Sequence, residues 1–386
     1  MRWMQQLPRR LLLVASSASS TVNFRGPLIK AAIASGWMVG VCAPFREQEA
    51  VRRNVETLGT LTFDCPIANT FAPPWADTRA WNRIRWIVDR FAPTVILAYT
   101  VKPLVLTALI PRGARTYQKV GWLTGLGFLS AAANDRMQPS AILAKMLGRS
   151  LRRFDGLLVQ NSRDRQVVQE RRWRRPDAWL DETPGSGVDV SRFRPSPLPS
   201  VARVGMLARL VESKGVGDYI AAARMIKSLH PHIECHLGGR EHTGPGAFPV
   251  EFVRKAHEEG VITYWGHVAD PVDFLSRLSV YVLPSYYPEG QPRSVLEALS
   301  TGRPVVTCDT PGCRETIVDG VHGQLVPPRD PESLAAALLR LSLNPLELQR
   351  MSRAARERAV SVYDAERVAR QVLDAIEQVD FRSSDV

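Results

Sequence analysis

The sequence predicts an α/β protein with two domains whose parallel sheets face a central cleft, and three observations predict it. The 386 residues are 45% hydrophobic and 23% charged, an ordinary globular composition long enough for two domains of roughly 180 residues each. Short apolar runs bounded by turns alternate with helical patterns along the chain, which is the mark of βαβ units. Three prolines in five residues, Pro195, Pro197 and Pro199, interrupt the alternation, and the pattern restarts behind them.

In order, RLLLVAS (10–16) reads as a strand, followed by a small-residue loop and GPLIKAAIASG, a helix ended by Gly36. WMVGVCAP, TVILAYT (94–100), TYQKVGWLTG (116–125) and GLLVQNS (156–162) are the next strands, with a helix over 141–153. Behind the linker DVSRFRPSPLPSV, the runs ARVGMLARL, IECHLGG, VITYWGHV, SVYVLPS and RPVVTCD read as strands. VGDYIAAARMIKSLH, PVEFVRKAHEEG, PRSVLEALSTG and DPESLAAALLRLSL read as helices, and a last helix covers about 365–379. The expected division is a first domain over 1–195, a second over 200–364, and a helix and tail over 365–386 that is a candidate to cross back to the first. Ligands of open α/β sheets bind outside the carboxyl ends of strands, so the cleft is the expected site.

The net charge of +12 is unevenly placed: residues 1–190 hold 27 Lys and Arg against 14 Asp and Glu, whereas the remainder hold 23 against 24. An anionic partner for the first half fits this asymmetry, as does a basic surface kept for solubility. The five cysteines have no C-x-x-C spacing, which points away from a disulfide framework or zinc site and toward a reducing cytosol. The apolar run Leu11–Ala15 has five residues, short of the ~7–15 of a signal peptide, and VILAYTVKPLVLTALIP is broken by Lys102-Pro103. Neither is expected to cross a membrane. Neither G-x-G-x-x-G after the first strand, nor G-x-x-x-x-G-K-[ST], nor Asp-x-Asp occurs.

Two constellations carry chemistry. In PSYYPEGQPRSVLEALSTGRPVV (284–306), Glu289 falls in a loop at a strand's carboxyl end and Glu297 one to two turns into the next helix, whose N-terminal amides favour an anion. Carboxylates beside such a site serve hydroxyls, because an acid accepts two hydrogen bonds from a vicinal diol. In GMLARLVESKG (205–215), Arg209 and Lys214 are spaced to flank one diphosphate, although an ordinary salt-bridged loop has the same spacing. In the first half, Phe24-Arg25 and Thr124-Gly125 are read as loops after strands, facing the cleft; Arg25 either meets a diphosphate or begins its helix. RSLRRF (149–154) and RDRQVVQERRWRRPDAW (163–179) set arginines beside Trp173 and Trp179, which suits an anionic membrane interface or a solvated basic helix.

The stretches GMLARLVESKGVGDYI, GHVADPVDFL and LPSYYPEGQPRSVLEALSTGRPVVTCDTPGCRETIVDGVHGQLVPPRDPESLAAAL together resemble the retaining glycosyltransferases of family 4. VNFRGPLIKAAIASGWMVGVCAP, TVKPL, WLTGLGF and LLVQNSRD resemble a branch that extends undecaprenyl-diphosphate-linked sugars with N-acetylgalactosamine or related hexoses. The resemblance implies two Rossmann-like domains (the GT-B fold), with a nucleotide sugar, UDP-linked by resemblance, held mainly by the second. Carried over, Glu289 binds donor-sugar hydroxyls, Glu297 the ribose diol, Arg209 and Lys214 the diphosphate leaving group. The stretch Gly290, Gln291, Pro292, Arg293 and Ser294 completes the donor site. Phe24, Arg25, Thr124 and Gly125 are the acceptor-side candidates. Pro288 and Gln291 depart from the family pattern beside the sugar-facing turn. The implied partners are the nucleotide sugar, a lipid-linked saccharide and an anionic membrane surface on the cytoplasmic face of the inner membrane, with no nucleic acid, cofactor or metal. An epimerase or other enzyme of the same fold, a basic nucleic-acid binder and a solute-binding protein are the rival readings.

Overall fold

The computed structural model describes residues 9–67, 77–112, 117–127, 129 and 139–382. Of the residues read above, Met1–Pro8, Thr116, Phe128 and Ser383–Val386 lie outside the described ones. The chain divides into two compact units, 1–186 with 366–386 and 187–365.

The first unit is a parallel sheet of seven strands: β1 (Arg10–Val14), β2 (Met38–Ala43), β3 (Leu61–Asp64), β4 (Val95–Tyr99), β5 (Gln118–Trp122), β6 (Gly156–Val159) and β7 (Trp179–Glu182). Their spatial order is β3-β2-β1-β4-β5-β6-β7. Strands buried on both faces read as unbroken apolar runs, and Leu11, Leu12, Leu13 and Val14 of β1 are all fully buried. Leu11 and Leu13 point into the layer of α1 (Ala18–Ala34), α2 (Glu49–Glu56) and α13 (Ala365–Arg382), packing with Leu28, Val55 and Val372. Leu12 and Val14 point into the layer of α3 (Thr78–Phe91), α4 (Val101–Ala108), α5 (Pro139–Leu151) and α6 (Ser162–Glu170), packing with Ile84, Leu104, Leu147 and Val167. The last helix thus belongs to this unit, held by Val368, Val372 and Ile376 in its core.

Two expectations for the first half do not hold. Phe24 and Arg25 are not in a loop: α1 begins at Ala18, and Pro27, which suits the start of a helix, lies inside it. Proline's fixed φ is helical, and its ring removes one backbone bond rather than the whole element. Nor are Trp173 and Trp179 set out on the surface. Trp173 is buried in the core against Gly148, where an added Cβ would lie 2.4 Å from its Nε1. Trp179 starts β7, half-buried over Gly156 with the same lack of room.

The second unit is a six-stranded parallel sheet: β8 (Arg203–Leu207), β9 (Glu234–Gly238), β10 (Thr263–Tyr264), β11 (Val280–Leu283), β12 (Val305–Cys308) and β13 (Gly323–Val326). Its order, β10-β9-β8-β11-β12-β13, repeats that of the first six strands of the first unit, β3-β2-β1-β4-β5-β6. The helices are α7 (Val216–Leu229), α8 (Val250–Glu258), α9 (Pro271–Ser276), α10 (Arg293–Ser300), α11 (Pro331–Leu343) and α12 (Pro345–Val362). The chain enters this unit at Gly187, ahead of the prolines at which the sequence sets the boundary. The reason is packing: Val188 and Phe193 belong to its core, and the buried Arg303 donates to the carbonyls of Ser196 (2.7 Å) and Pro197 (3.2 Å), tying the proline segment down.

Candidate functional site

In an order of the 3-2-1-4-5-6 type the strand sequence reverses beside the first strand, and the crevice outside the carboxyl ends at that point is where ligands bind. In the second unit this switch point lies between β8 and β11. Three loops meet there: 208–215 after β8, 284–292 after β11 and 309–316 after β12.

They are fastened to one another by backbone. Gly215 has φ +74°, and a Cβ there would meet the Pro284 carbonyl oxygen at 2.1 Å. Ser213 O accepts from the Tyr286 amide (3.2 Å), and the Ser285 hydroxyl oxygen lies 3.1 Å from it. On the other side Thr310 Oγ1 donates to Ser285 O (2.9 Å), and the Glu289 amide donates to Pro311 O (2.9 Å). Gly312, at φ +87°, lies so close that a Cβ would meet the carbonyl oxygens of Gly290 and Glu289 at 2.3 and 2.4 Å. Only glycine combines that conformation with that approach. The acid in the middle loop is therefore held by both neighbours.

Lys214 and Glu289, 75 residues apart in sequence, form an ion pair with Nζ to Oε1 at 2.5 Å. The same carboxylate oxygen accepts from Ser285 Oγ at 2.8 Å. An ammonium has three N–H groups, and the contact to Glu289 uses one. Lys214 can hold the carboxylate and donate to a phosphoryl oxygen at once. Arg209, in the first loop, is exposed, and its guanidinium makes no ion pair or side-chain hydrogen bond among the described residues. Two cations and one acid thus share the switch point, with the charge balance tilted toward binding an anion.

Helix α10 starts at Arg293 with Pro292 as its N-cap, runs to Ser300, and stops before Gly302 at φ +73°. Glu297, on its second turn, is 8% exposed. Burial raises its carboxyl above the usual range, and Arg293, whose Nε donates to Oε1 at 2.8 Å, opposes the rise. Gly290 and Pro292 are buried while Gln291, Arg293 and Ser294 are half-buried, so the donor-site stretch predicted from sequence forms one loop-to-helix junction between the two acids.

Some neighbours of this site have no separate signal in the sequence reading. Ser285 orients Glu289, and Gly215 and Gly312 fix the loops; a glycine directly after Lys214 and one inside PGCRE were the available clues. Asp218, on the first turn of α7, has a buried Oδ2 with no hydrogen-bond partner, and burial raises its carboxyl despite the nearby Arg329. Cys313 is buried beside Glu289, and burial pushes its thiol up to about 12, so it is neutral and unreactive here. No group of three or more His, Cys, Asp or Glu that could hold a metal is found among the described residues.

The acceptor-side candidates lie in the first unit. Thr124 and Gly125 are in the loop after β5. Phe24 is exposed on α1, but Arg25 is 1% exposed, its guanidinium carbon 3.7 Å from the Trp122 ring centre and 4.5 Å from that of Tyr99, with Nη1 donating to Ser186 Oγ at 2.8 Å. The contacts that hold its guanidinium include those rings and that hydroxyl.

Residues 201–344 match the family described as Glycosyl transferases group 1. Every donor-side residue named above lies within that matched stretch. Glycogen synthase of Mycobacterium tuberculosis is 33% identical over 191 residues, 48% of this chain and 45% of that protein. Campylobacter jejuni N,N'-diacetylbacillosaminyl-diphospho-undecaprenol alpha-1,3-N-acetylgalactosaminyltransferase is 31% identical over 175 residues, 45% and 44% of the two chains. The chain thus spans somewhat less than half the length of these curated relatives. Among solved structures, sucrose-phosphate synthase from Thermosynechococcus elongatus superposes with a TM-score of 0.78 at 18% identity, covering 96% of this chain and 99% of that one. Anabaena Alr3699/HepE in complex with UDP-glucose gives 0.74 at 18% identity, with 96% and 99% covered. At that identity they show the fold, two parallel-sheet Rossmann-like units as in GT-B enzymes, and no more. No helix among the described residues is long and apolar enough to cross a membrane.

Proposed function

We propose that the chain is a retaining glycosyltransferase of family 4, moving a hexose or N-acetylhexosamine from a UDP-linked donor to a lipid-diphosphate-linked saccharide in bacterial glycan assembly. The observation that carries this reading is the Lys214–Glu289 pair beside exposed Arg209 and buried Glu297, at a topological switch point inside the stretch that matches Glycosyl transferases group 1. Glu289 accepts hydrogen bonds from donor-sugar hydroxyls and Glu297 from the ribose diol. Arg209 and Lys214 bind the diphosphate and stabilise the charge that grows on it as the C1–O bond breaks, the electrostatic contribution that usually dominates transfer chemistry. The acceptor hydroxyl attacks C1 from the same face and gives its proton to the departing phosphate oxygen, so the anomeric configuration is retained. In this reading the two cations serve in place of a metal, and the enzyme works at the cytoplasmic face of the inner membrane, at an anionic lipid surface.

The relative from Campylobacter jejuni supports the lipid-linked acceptor by its name, and the mycobacterial glycogen synthase favours a second reading in which a glucan is extended. Incubation with UDP- and ADP-hexoses and either an undecaprenyl-diphosphate saccharide or a glucan separates the two. The account expects an α-linked product on the lipid acceptor from an α-configured UDP donor, unaffected by EDTA. A β-linked product, strict metal dependence, or transfer to the glucan alone would overturn it.

A further inference from the structure

The excess positive charge of the first half is concentrated on one helical layer. Helix α3 carries Arg79, Arg83, Arg85 and Arg90 against Asp89 alone, and α5 carries Lys145 and Arg149 with Arg152 and Arg153 just beyond it and no acid among them. The opposite layer is mixed: α2 sets Glu49 and Glu56 against Arg52 and Arg53, each arginine paired with one of them. The periodicity of α3 explains what it turns outward. Ala80, Ile84, Ile87, Val88 and Phe91 are buried, which leaves Arg79, Arg85, Trp86 and Arg90 exposed on the other face.

Trp86 is the unusual member. A large aromatic that is 44% exposed on a helix whose inner face is already packed is not needed by the core. It is flanked by guanidinium groups a turn before and a turn after: Arg83 at 4.3 Å and Arg90 at 5.6 Å from the ring centre. The same layer exposes Leu109 at the end of α4 and Ile142, 59% exposed, on α5, whose outer stripe continues through Lys145 and Arg149. α4 packs against both α3 and α5. Apolar and aromatic side chains among cations, on helices lying flat over a sheet, match a surface that is anionic outside and hydrocarbon just below. A nucleic acid would use the cations but offers nothing to Leu109 and Ile142, and the guanidiniums over Trp86 compete with base stacking.

We infer that the outer face of α3, α4 and α5 is a docking surface for an anionic lipid bilayer, with Trp86 entering the interface and Arg79, Arg85, Arg90, Lys145 and Arg149 reading the headgroup charge. It rests on the proposed function only for why a bilayer matters, because it places the membrane partner of that reading on named residues. It also moves that surface away from Trp173 and Trp179, which the core takes up.

The test is co-sedimentation of the full chain, with neither nucleotide nor acceptor present, on phosphatidylcholine vesicles with and without about 30 mol% phosphatidylglycerol. Anionic vesicles should bind at least tenfold more tightly at low salt. The double reversal Arg85→Glu/Arg90→Glu should lose at least tenfold of that, and Trp86→Ala several-fold with a loss that persists as salt rises. A matched reversal on the opposite layer, Lys30→Glu/Arg370→Glu, should stay within about twofold, and thermal unfolding of each variant separates lost binding from lost folding. Equal binding to both vesicles, no binding to either, or equal losses from both reversals would overturn the inference. So would tighter binding of single-stranded RNA or duplex DNA with the same dependence on α3. A chain that binds vesicles but not UDP keeps this surface and loses the transferase reading, and the converse result does the opposite.

Discussion

The two units share a strand order and differ in what they put at the point where it reverses. In the second unit the switch point between β8 and β11 keeps charge available: Arg209 exposed, Lys214 half-buried with donors to spare, and two carboxylates on either side of a helix start. In the first unit the same point, between β1 and β4, closes on itself. Ser16 and Thr100 share a hydrogen bond of 3.0 Å, Lys102 is paired with Asp77, and Arg25 is stacked on Tyr99 and Trp122. Thr100 holds a φ of +68°, rare for a β-branched residue. Topology therefore fixes where a crevice lies, and the side chains at the strand ends decide whether its cations face a ligand or the protein's own rings.

The sharpest way to break this comparison is to remove one cation from each unit. Lys214→Met should lower turnover by about two to three orders of magnitude, the usual cost of a group that stabilises leaving-group charge, with little change in melting temperature. Arg25→Ala should do the reverse. Loss of a fully buried side chain beside Trp122 should cost about 3 kcal/mol in denaturant unfolding and leave UDP affinity unchanged. If Arg25→Ala instead abolished UDP binding while the fold stayed intact, the contrast between the units would be mistaken.

Smaller effects probe how the second unit's loops are held. In Gly312→Ala the methyl must displace the Glu289 and Gly290 carbonyls and adopt a left-handed backbone, so stability should fall by about 2 kcal/mol, and KM for the donor should rise more than kcat falls. Glu297→Gln tests burial. The native protein keeps a proton on Glu297 to higher pH than the unfolded chain does. Its favourable contribution is therefore present at low pH and lost as pH rises through the raised value. At neutral pH the variant should be more stable than wild type by up to about 1 kcal/mol, with the pH slope above the usual carboxylate range flattened, while UDP binding weakens. A variant less stable at neutral pH would show that Arg293 outweighs burial.

Much of this was legible in the sequence because parallel strands are buried on both faces: LLLV, VILAY and VYVL announce themselves as apolar runs. The Glu289 loop and the helix behind it were legible for a related reason, since Pro292 and Gly302 mark the ends of a short helix. The start of α1 was not, because ASSTVNF has no apolar stripe and Pro27 mimics a first turn. Arg25 and Trp173 were misplaced by local reading, since their burial depends on rings and glycines far away in sequence, Trp122 for one and Gly148 for the other. The Lys214–Glu289 pair spans 75 residues, so neither residue alone signals that it holds the other.

The central claim is that the switch point of the second unit binds a nucleoside diphosphate through Lys214 and Glu297. Titration calorimetry with UDP on wild type, Lys214→Met and Glu297→Ala tests it most directly. The account predicts measurable UDP binding to wild type, weakened at least tenfold (about 1.4 kcal/mol) in each variant, with the Lys214 loss carried by the phosphates and therefore absent when uridine replaces UDP. Equal UDP affinity in all three proteins, or no affinity for any nucleoside diphosphate, would contradict it.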